Sequence, residues 1–509
     1  MTTQRSTITI VYLGVLASLQ VVDPTVANTA LVQASRTLGM EGATLPLAAS
    51  LSTLTQAATV LAMGFLGDRL GRRKVLVGSL LLAIAGNLLA MAAPVTGWFL
   101  LGRALTGIAL GGVLAASYAA VRDCCRPEQL ARALGLWNLL IVMGFVAGSL
   151  VGGWLADSGW RLAMGLVPLV CALALPLAPP LLPPMPANPA LKPDIPGLVS
   201  IAAAMVLTLV GVSHAVGGLG DRAFWLPTLA GLLLFLLHGA IETRARHPIL
   251  PPELYRRGMF LAAILSGVAW NFAQSVVQLQ TSNFWQLVQH FNTSQVALAQ
   301  APMLLCFGVG GVVAGRWLAP GRRTRQIMLL GSVVLVLGLL LLASVQATSP
   351  YIALLPALIL VGLGLALIAV PQSALFVQEA PAAFFGAVTA FRTTCGQLGF
   401  ALGFAVSGAL VNGFGASSFR LRLLELGLPA NTIPALLMRA RAFLNHGVPP
   451  LGSLSASELE RVIRQAYATG LGGALVVTGI LVALLLSGSQ LLMVRGALRG
   501  QGSCHPTAR

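Results

Sequence analysis

GFLGDRLGRRKV, residues 64–75, is a short polar turn held between two long apolar runs. Gly64, Gly67 and Gly71 leave the backbone bare, which permits a tight turn and close approach of the flanking segments. Asp68 stands among Arg69, Arg72 and Arg73 near a helix end, where it can pair with Arg69 or Arg72 and oppose positive charge. Such a clasp favours one conformational state and breaks in the other. The plainer reading is a basic anchor at a membrane surface, although an anchor requires neither the aspartate nor the glycine spacing. The pattern returns downstream: residues 311–325 read GVVAGRWLAPGRRTR, keeping a glycine, an arginine and the closing Gly-Arg-Arg but not the aspartate.

Outward from this turn the chain is apolar nearly throughout. Of 509 residues 57% are hydrophobic and 9% charged, far from the roughly 25% charged residues of a soluble domain, and the mean hydropathy is +0.86. A spanning helix needs about 20 mainly apolar residues. By that measure the sequence predicts fourteen: 8–32, 46–66, 75–95, 98–121, 130–156, 162–182, 197–217, 224–241, 259–287, 296–318, 327–347, 351–377, 385–411 and 466–494. The first run lacks a small-residue cleavage pattern and reads as a spanning helix rather than a signal peptide.

The two related turns lie eight helices apart. Two six-helix halves alone give an offset of six, so the seventh and eighth helices are inserted between halves. Parallel repeats of this kind are a transporter signature. The division is a first half over 1–182, a linker and two inserted helices over 183–258, a second half over 259–494 with a long external loop at 412–465, and a tail at 495–509. The proline-rich stretch 178–196 cannot continue a helix and serves as the linker. Basic residues such as Arg69, Arg72, Arg73, Lys74, Arg122, Arg244 and Arg256 fall in segments on one side, against Arg36, Arg161 and Arg222 in the short loops opposite. Both termini are therefore expected in the cytoplasm.

Some functions are disfavoured. The net charge of +17 sits in clusters between apolar runs, which points to membrane orientation and not to nucleic acid. Six cysteines without CxxC spacing or a histidine cluster support neither a metal site nor a disulfide framework. No GxxxxGK[ST] motif points to ATP, and no Ser-His pair, aspartate pair or HExxH motif points to intramembrane proteolysis.

Three stretches together resemble the major facilitator superfamily across essentially the whole chain. GFLGDRLGRRKV is similar to its loop signature, and LLGRALTGIALGG (100–112) to its fourth-helix motif with a buried arginine. VVDPTVANTAL (21–31) resembles the first-helix motif of the fourteen-helix drug:proton antiporters, the EmrB/QacA-like branch. The resemblance implies an all-α polytopic fold of two six-helix halves plus two inserted helices, in the cytoplasmic (inner) membrane of a bacterium. It implies a monomer that exports small amphipathic compounds by alternating access, driven by protons and without a cofactor. Its partners are then the lipid bilayer, protons and the small-molecule substrate. Export or uptake of one endogenous metabolite or lipid is the alternative, and a non-transporting sensor has no need of both the loop echo and a buried charge pair.

Within that frame the candidate residues are few. Asp23 is a lone carboxylate in an apolar run, which costs on the order of 2.5–3.5 kcal/mol at a helix centre. Arg103 lies in the fourth helix within about one turn of the same depth. The pair is either structural or a proton-coupling site. Pro24 removes a backbone donor just after the acid. Gly144, Gly148 and Gly152 make a bare face on the fifth helix, similar to the family's antiporter glycine row, but Ser149 stands where that motif has proline, and helix packing explains the row equally well. On the ninth helix Trp270, Gln274, Gln278, Thr281 and Trp285 fall on one stripe, suited to bulky, partly polar substrates or to a helix–helix seam; Asn28 of the first helix joins these substrate candidates. Arg392 is within about two turns of the cytoplasmic end of its helix, where it can snorkel, and is not counted among the working residues. His214 and His238, in the inserted helices, are expected to pack or to face lipid.

Overall fold

The computed structural model describes residues 3–40, 44–126, 129–183, 187–214, 222–245, 248–318, 324–381, 384–426, 436 and 456–502, with a few side chains inside these ranges, among them Asn28 and Ser149, outside the description. Fourteen of its helices are long and apolar enough to cross a membrane, and no strand occurs among the described residues. In the first half these are α1 (Thr3–Leu38), α2 (Thr44–Leu70), α3 (Arg72–Met91), α4 (Thr96–Cys124), α5 (Leu130–Ser158) and α6 (Trp160–Leu181). The inserted pair is α7 (Ile195–Ser213) and α8 (Arg222–Arg244). The rest are α9 (Gly258–Leu287), α10 (Thr293–Leu318), α11 (Thr324–Ala343), α12 (Tyr351–Glu379), α13 (Phe385–Glu425) and α14 (Ala456–Gly502). α6 is broken at Gly165 and passes through a 3-10 turn at Leu175–Leu177, where Pro176 removes an amide donor.

Helix contacts repeat with a shift of eight. In the first half α1 packs on α4 and α5, α4 on α2 and α3, and α3 on α6; further along, α9 packs on α12 and α13, α12 on α10 and α11, and α11 on α14. The main crossings between the halves are α5 with α10 and α2 with α13, and the same shift exchanges them. Close crossings rest on small residues. A Cβ on Gly102 of α4 would lie 2.6 Å from the backbone nitrogen of Ala90 on α3, and one on Gly135 of α5 would lie 2.8 Å from the carbonyl oxygen of Gly311 on α10. α7 and α8 pack on one another, and α7 leans on α2 and α13.

Several stretches differ from the sequence reading. The proline-rich stretch expected to be unable to continue a helix is helical over Ala178–Leu181, because Pro179 and Pro180 stand in the first turn, where their missing amides are not needed. The expected external loop 412–465 is flanked by helix, because α13 runs to Glu425 and α14 begins at Ala456. Phe419 and Leu423 of α13 bury against Leu459, Val462, Ile463 and Ala466 of α14, while Arg422 turns aside and donates to Gln465 Oε1 at 2.6 Å. The arginines made this segment look like loop, but helical spacing puts apolar and basic residues on different faces. The remainder of that loop lies almost wholly outside the described residues. The expected tail at 495–509 is likewise helix as far as Gly502.

Candidate functional site

Asp23 and Arg103 meet inside the first half. Arg103 is fully buried and Asp23 is 2% exposed. Arg103 Nη1 lies 3.0 Å from Asp23 Oδ1 and 2.9 Å from Oδ2, and Ser52 of α2 donates its hydroxyl to Oδ2 at 2.9 Å. The motif of α4 builds this site by withholding side chains: Gly102 lets α3 approach, and Gly107 lies against Ser52 and Thr55 of α2. Arg103 Nε and Nη2, both buried, have no hydrogen-bond partner among the described residues. A buried ion pair whose donors are only partly used sits in low dielectric, where the loss or gain of one proton changes its energy strongly. Ser52 is invisible to sequence reading, since serine in a spanning helix is common and cheap. One turn from the acid, Gln56 of α2 donates to Gln20 of α1 at 3.3 Å.

The glycine row of α5 is the seat of that same helix α1. Side chains at Gly144, Gly148 and Gly152 would run into Ser18, Val22 and Val26 in turn, with Val22 only 2.6 Å from a Cβ on Gly148. α13 repeats the device eight helices on, where Gly399 meets Val268 and Gly403 meets Phe272 and Ser275 of α9. A seat present in both halves is first of all a packing device. In the first half it brings bare backbone within one residue of Asp23.

The turn between α2 and α3 is a clasp across the halves. Gly71 takes φ 95°, a left-handed backbone open to glycine, which directs α3 back beside α2. Asp68 accepts from Arg72 Nη2 at 3.0 Å through Oδ1 and from the amide of Ala387 at 3.1 Å through Oδ2. Ala387 is the third residue of α13, so Asp68 of one half caps a helix N-terminus of the other and opposes its positive end. Arg72 also pairs with Asp123 at the end of α4, and the Phe385 ring lies under the guanidinium carbons of Arg122 and Arg72 at 4.0 and 5.4 Å. Gly64 is buried, Gly67 lies against the Arg72 stem, and Arg69 and Arg73 are half-buried beside the turn.

The stripe on α9 divides. Trp285 and Thr281 are buried, the tryptophan stacking on Phe291 and touching Tyr351 and the threonine receiving Gln300 Nε2 at 3.2 Å; these two form a seam rather than a substrate face. Trp270, Gln274 and Gln278 are half-buried, Trp270 stacking on Phe307. The next residue round, Gln280, makes the deeper network, donating to Ser407 and accepting from Tyr467, each at 2.9 Å. The side chain of Asn28 lies outside the described residues. Arg392 does not snorkel: it turns inward from α13, its guanidinium 4.4 Å from the ring of Tyr118 on α4, and donates to Ser373 of α12 at 3.0 Å. Depth was legible there but direction was not. His238 is buried and shares a hydrogen bond with Ser200 at 2.9 Å, whereas His214 is exposed at the end of α7.

With this geometry in hand, the chain can be set beside known proteins. The sequence model described as Major Facilitator Superfamily matches residues 11–404. The puromycin resistance protein pur8 of Streptomyces alboniger is 27% identical over 405 residues, covering 78% of this chain and 80% of that protein. The methyl viologen resistance protein SmvA of Salmonella typhimurium is 23% identical over 500 residues, covering 95% and 97%. Among solved structures, that of the human organic anion transporter MFSD10 overlays with a TM-score of 0.59 at 16% identity, covering 95% of this chain and 100% of that one; at that identity the likeness concerns the fold alone.

Proposed function

The chain belongs to the major facilitator superfamily, a family of transporters and not enzymes, and on that premise we propose that it is a proton-coupled exporter of small amphipathic compounds in a bacterial inner membrane. The observation that carries this reading is the buried carboxylate of Asp23, paired with Arg103 on a helix that rests on bare glycine. Relatives named for resistance to puromycin and methyl viologen support efflux as the direction.

The cycle follows from what these groups can do. Protonating Asp23 cancels the charge that holds Arg103, and breaking a buried pair by removing one charge is worth about 3–5 kcal/mol. That is ample to shift two conformers separated by a few kcal/mol. With Asp68 seated on the start of α13, the bundle is closed at the face that carries both termini. Opening that face requires Asp68 to leave the Ala387 amide and the α2–α13 and α5–α10 crossings to rock. The substrate is taken between the halves by apolar and amide surface, for which the half-buried Trp270, Gln274 and Gln278 are the candidates on α9. In proteoliposomes with an imposed proton gradient, an amphipathic dye should accumulate against its own gradient, and collapse of the proton gradient should abolish the accumulation. Unchanged accumulation after collapse contradicts proton coupling while leaving transport itself intact.

A further inference from the structure

Away from the Asp23 pair, two other acids are pressed together at one end of the inserted hairpin. Asp194 directly precedes α7, and Glu242 lies near the end of α8. Glu242 is 2% exposed. Asp194 Oδ2 and Glu242 Oε1 are both buried and take no hydrogen from any other described group, and both crowd the same point above Gly197, the only residue type that leaves room for them. The other oxygen of Glu242 receives the Leu250 amide at 3.4 Å. We propose that Asp194 and Glu242 form a proton-binding site of the inserted hairpin, a carboxyl–carboxylate pair that holds one proton between Asp194 Oδ2 and Glu242 Oε1.

Electrostatics favours that occupant. Two carboxylates placed side by side in a poorly solvated site cannot both stay ionised without compensation. No described ion pair includes either acid, and Lys192 and Arg244 nearby are exposed. The other titratable groups that feel the pair are His238, one turn back on α8 and engaged with Ser200, and Tyr255 of the following turn; Arg246 and His247 lie outside the described residues. A metal cation is a poor alternative, because calcium takes six to eight oxygens and no group of three His, Cys, Asp or Glu side chains that could hold a metal occurs among the described residues. A single proton satisfies both orphan oxygens with one short hydrogen bond.

The location gives this proton a task. Six residues before Asp194, the amide of Asn188 donates to the carbonyl of Asp68 at 2.9 Å, tying the linker to the clasp. On the other side, Ile249, Leu250 and Leu254 bury in a core shared by α1 and α4 with α9 and α12. The shared proton thus fastens the hairpin to both neighbouring segments, and its loss sets two like charges against each other at the joint.

Infrared spectroscopy of the full-length chain in lipid nanodiscs at neutral pH tests the site. Glu242→Gln keeps the shape and offers Asp194 an N–H donor, so it should fold, and Asp194→Asn provides the same check from the other side. The wild type minus either variant should show a carboxylic acid C=O band, and the band should persist in Asp23→Asn, which separates this site from the coupling site. Difference spectra against both variants that contain only carboxylate bands overturn the proposal, as does a band lost in Asp23→Asn and kept in Glu242→Gln.

Discussion

Asp23 announces itself because the runs around it are apolar, and Arg103 because it interrupts a glycine-rich helix at nearly the same depth. What the sequence leaves hidden is the third member, Ser52, whose hydroxyl completes the acceptor side of Asp23, and the inward aim of Arg392 toward Tyr118. Serine carries no penalty that would mark it, and residue spacing fixes depth along a helix without fixing which neighbour the side chain meets. The Asp23–Arg103 pair makes an asymmetric prediction. Arg103→Ala strands an uncompensated carboxylate and should cost about 3–5 kcal/mol of stability, read as a lower melting temperature in detergent. Arg103→Ala combined with Asp23→Asn should recover most of that loss, since the stranded charge is gone.

Among the elements, the fourteen helices are legible from apolar run length, and so is the glycine face of α5. Its duplicate on α13 is not, because Gly396, Gly399 and Gly403 keep a different spacing and only the contact with α9 reveals the shared task. The stripe on α9 shows the limit from the other direction: five residues at helical spacing do share a face, yet neighbours bury its outer part at Thr281 and Trp285 and leave Trp270, Gln274 and Gln278 partly open. At the clasp, Asp68 spans two elements at once, through Arg72 of α3 and the Ala387 amide of α13. Asp68→Asn keeps one acceptor but loses the charge that favours the α13 N-terminus, an interaction worth about 0.3–1 kcal/mol and up to about 2 when partly buried. The variant should insert and bind substrate normally while turnover falls several-fold. Wild-type turnover in Asp68→Asn would reduce the turn to an anchor.

For the whole molecule, an offset of eight between two polar turns fits a repeat with an inserted pair, and the helix contacts repeat with that same shift. The helical flanks of the segment between α13 and α14 were not legible, since alternating arginines disguise the buried faces at Leu423 and Leu459. The charge asymmetry predicts a topology that is open to direct test. In a cysteine-free background, Glu425→Cys, exposed at the end of α13, should react with a membrane-impermeant thiol reagent added to intact cells, and Glu253→Cys, exposed on the opposite face, should react only after permeabilisation. The reverse pattern inverts the orientation.

The central claim, that the membrane-buried carboxylate converts a proton gradient into export, is tested most directly by Asp23→Asn in proteoliposomes carrying an imposed proton gradient. The amide keeps the size of the side chain and can still accept from Ser52 and Arg103, so the variant should fold and should equilibrate substrate down its own gradient. Proton-driven accumulation should disappear. Accumulation by Asp23→Asn at the wild-type rate would contradict the account and make Asp23 a structural partner of Arg103 alone.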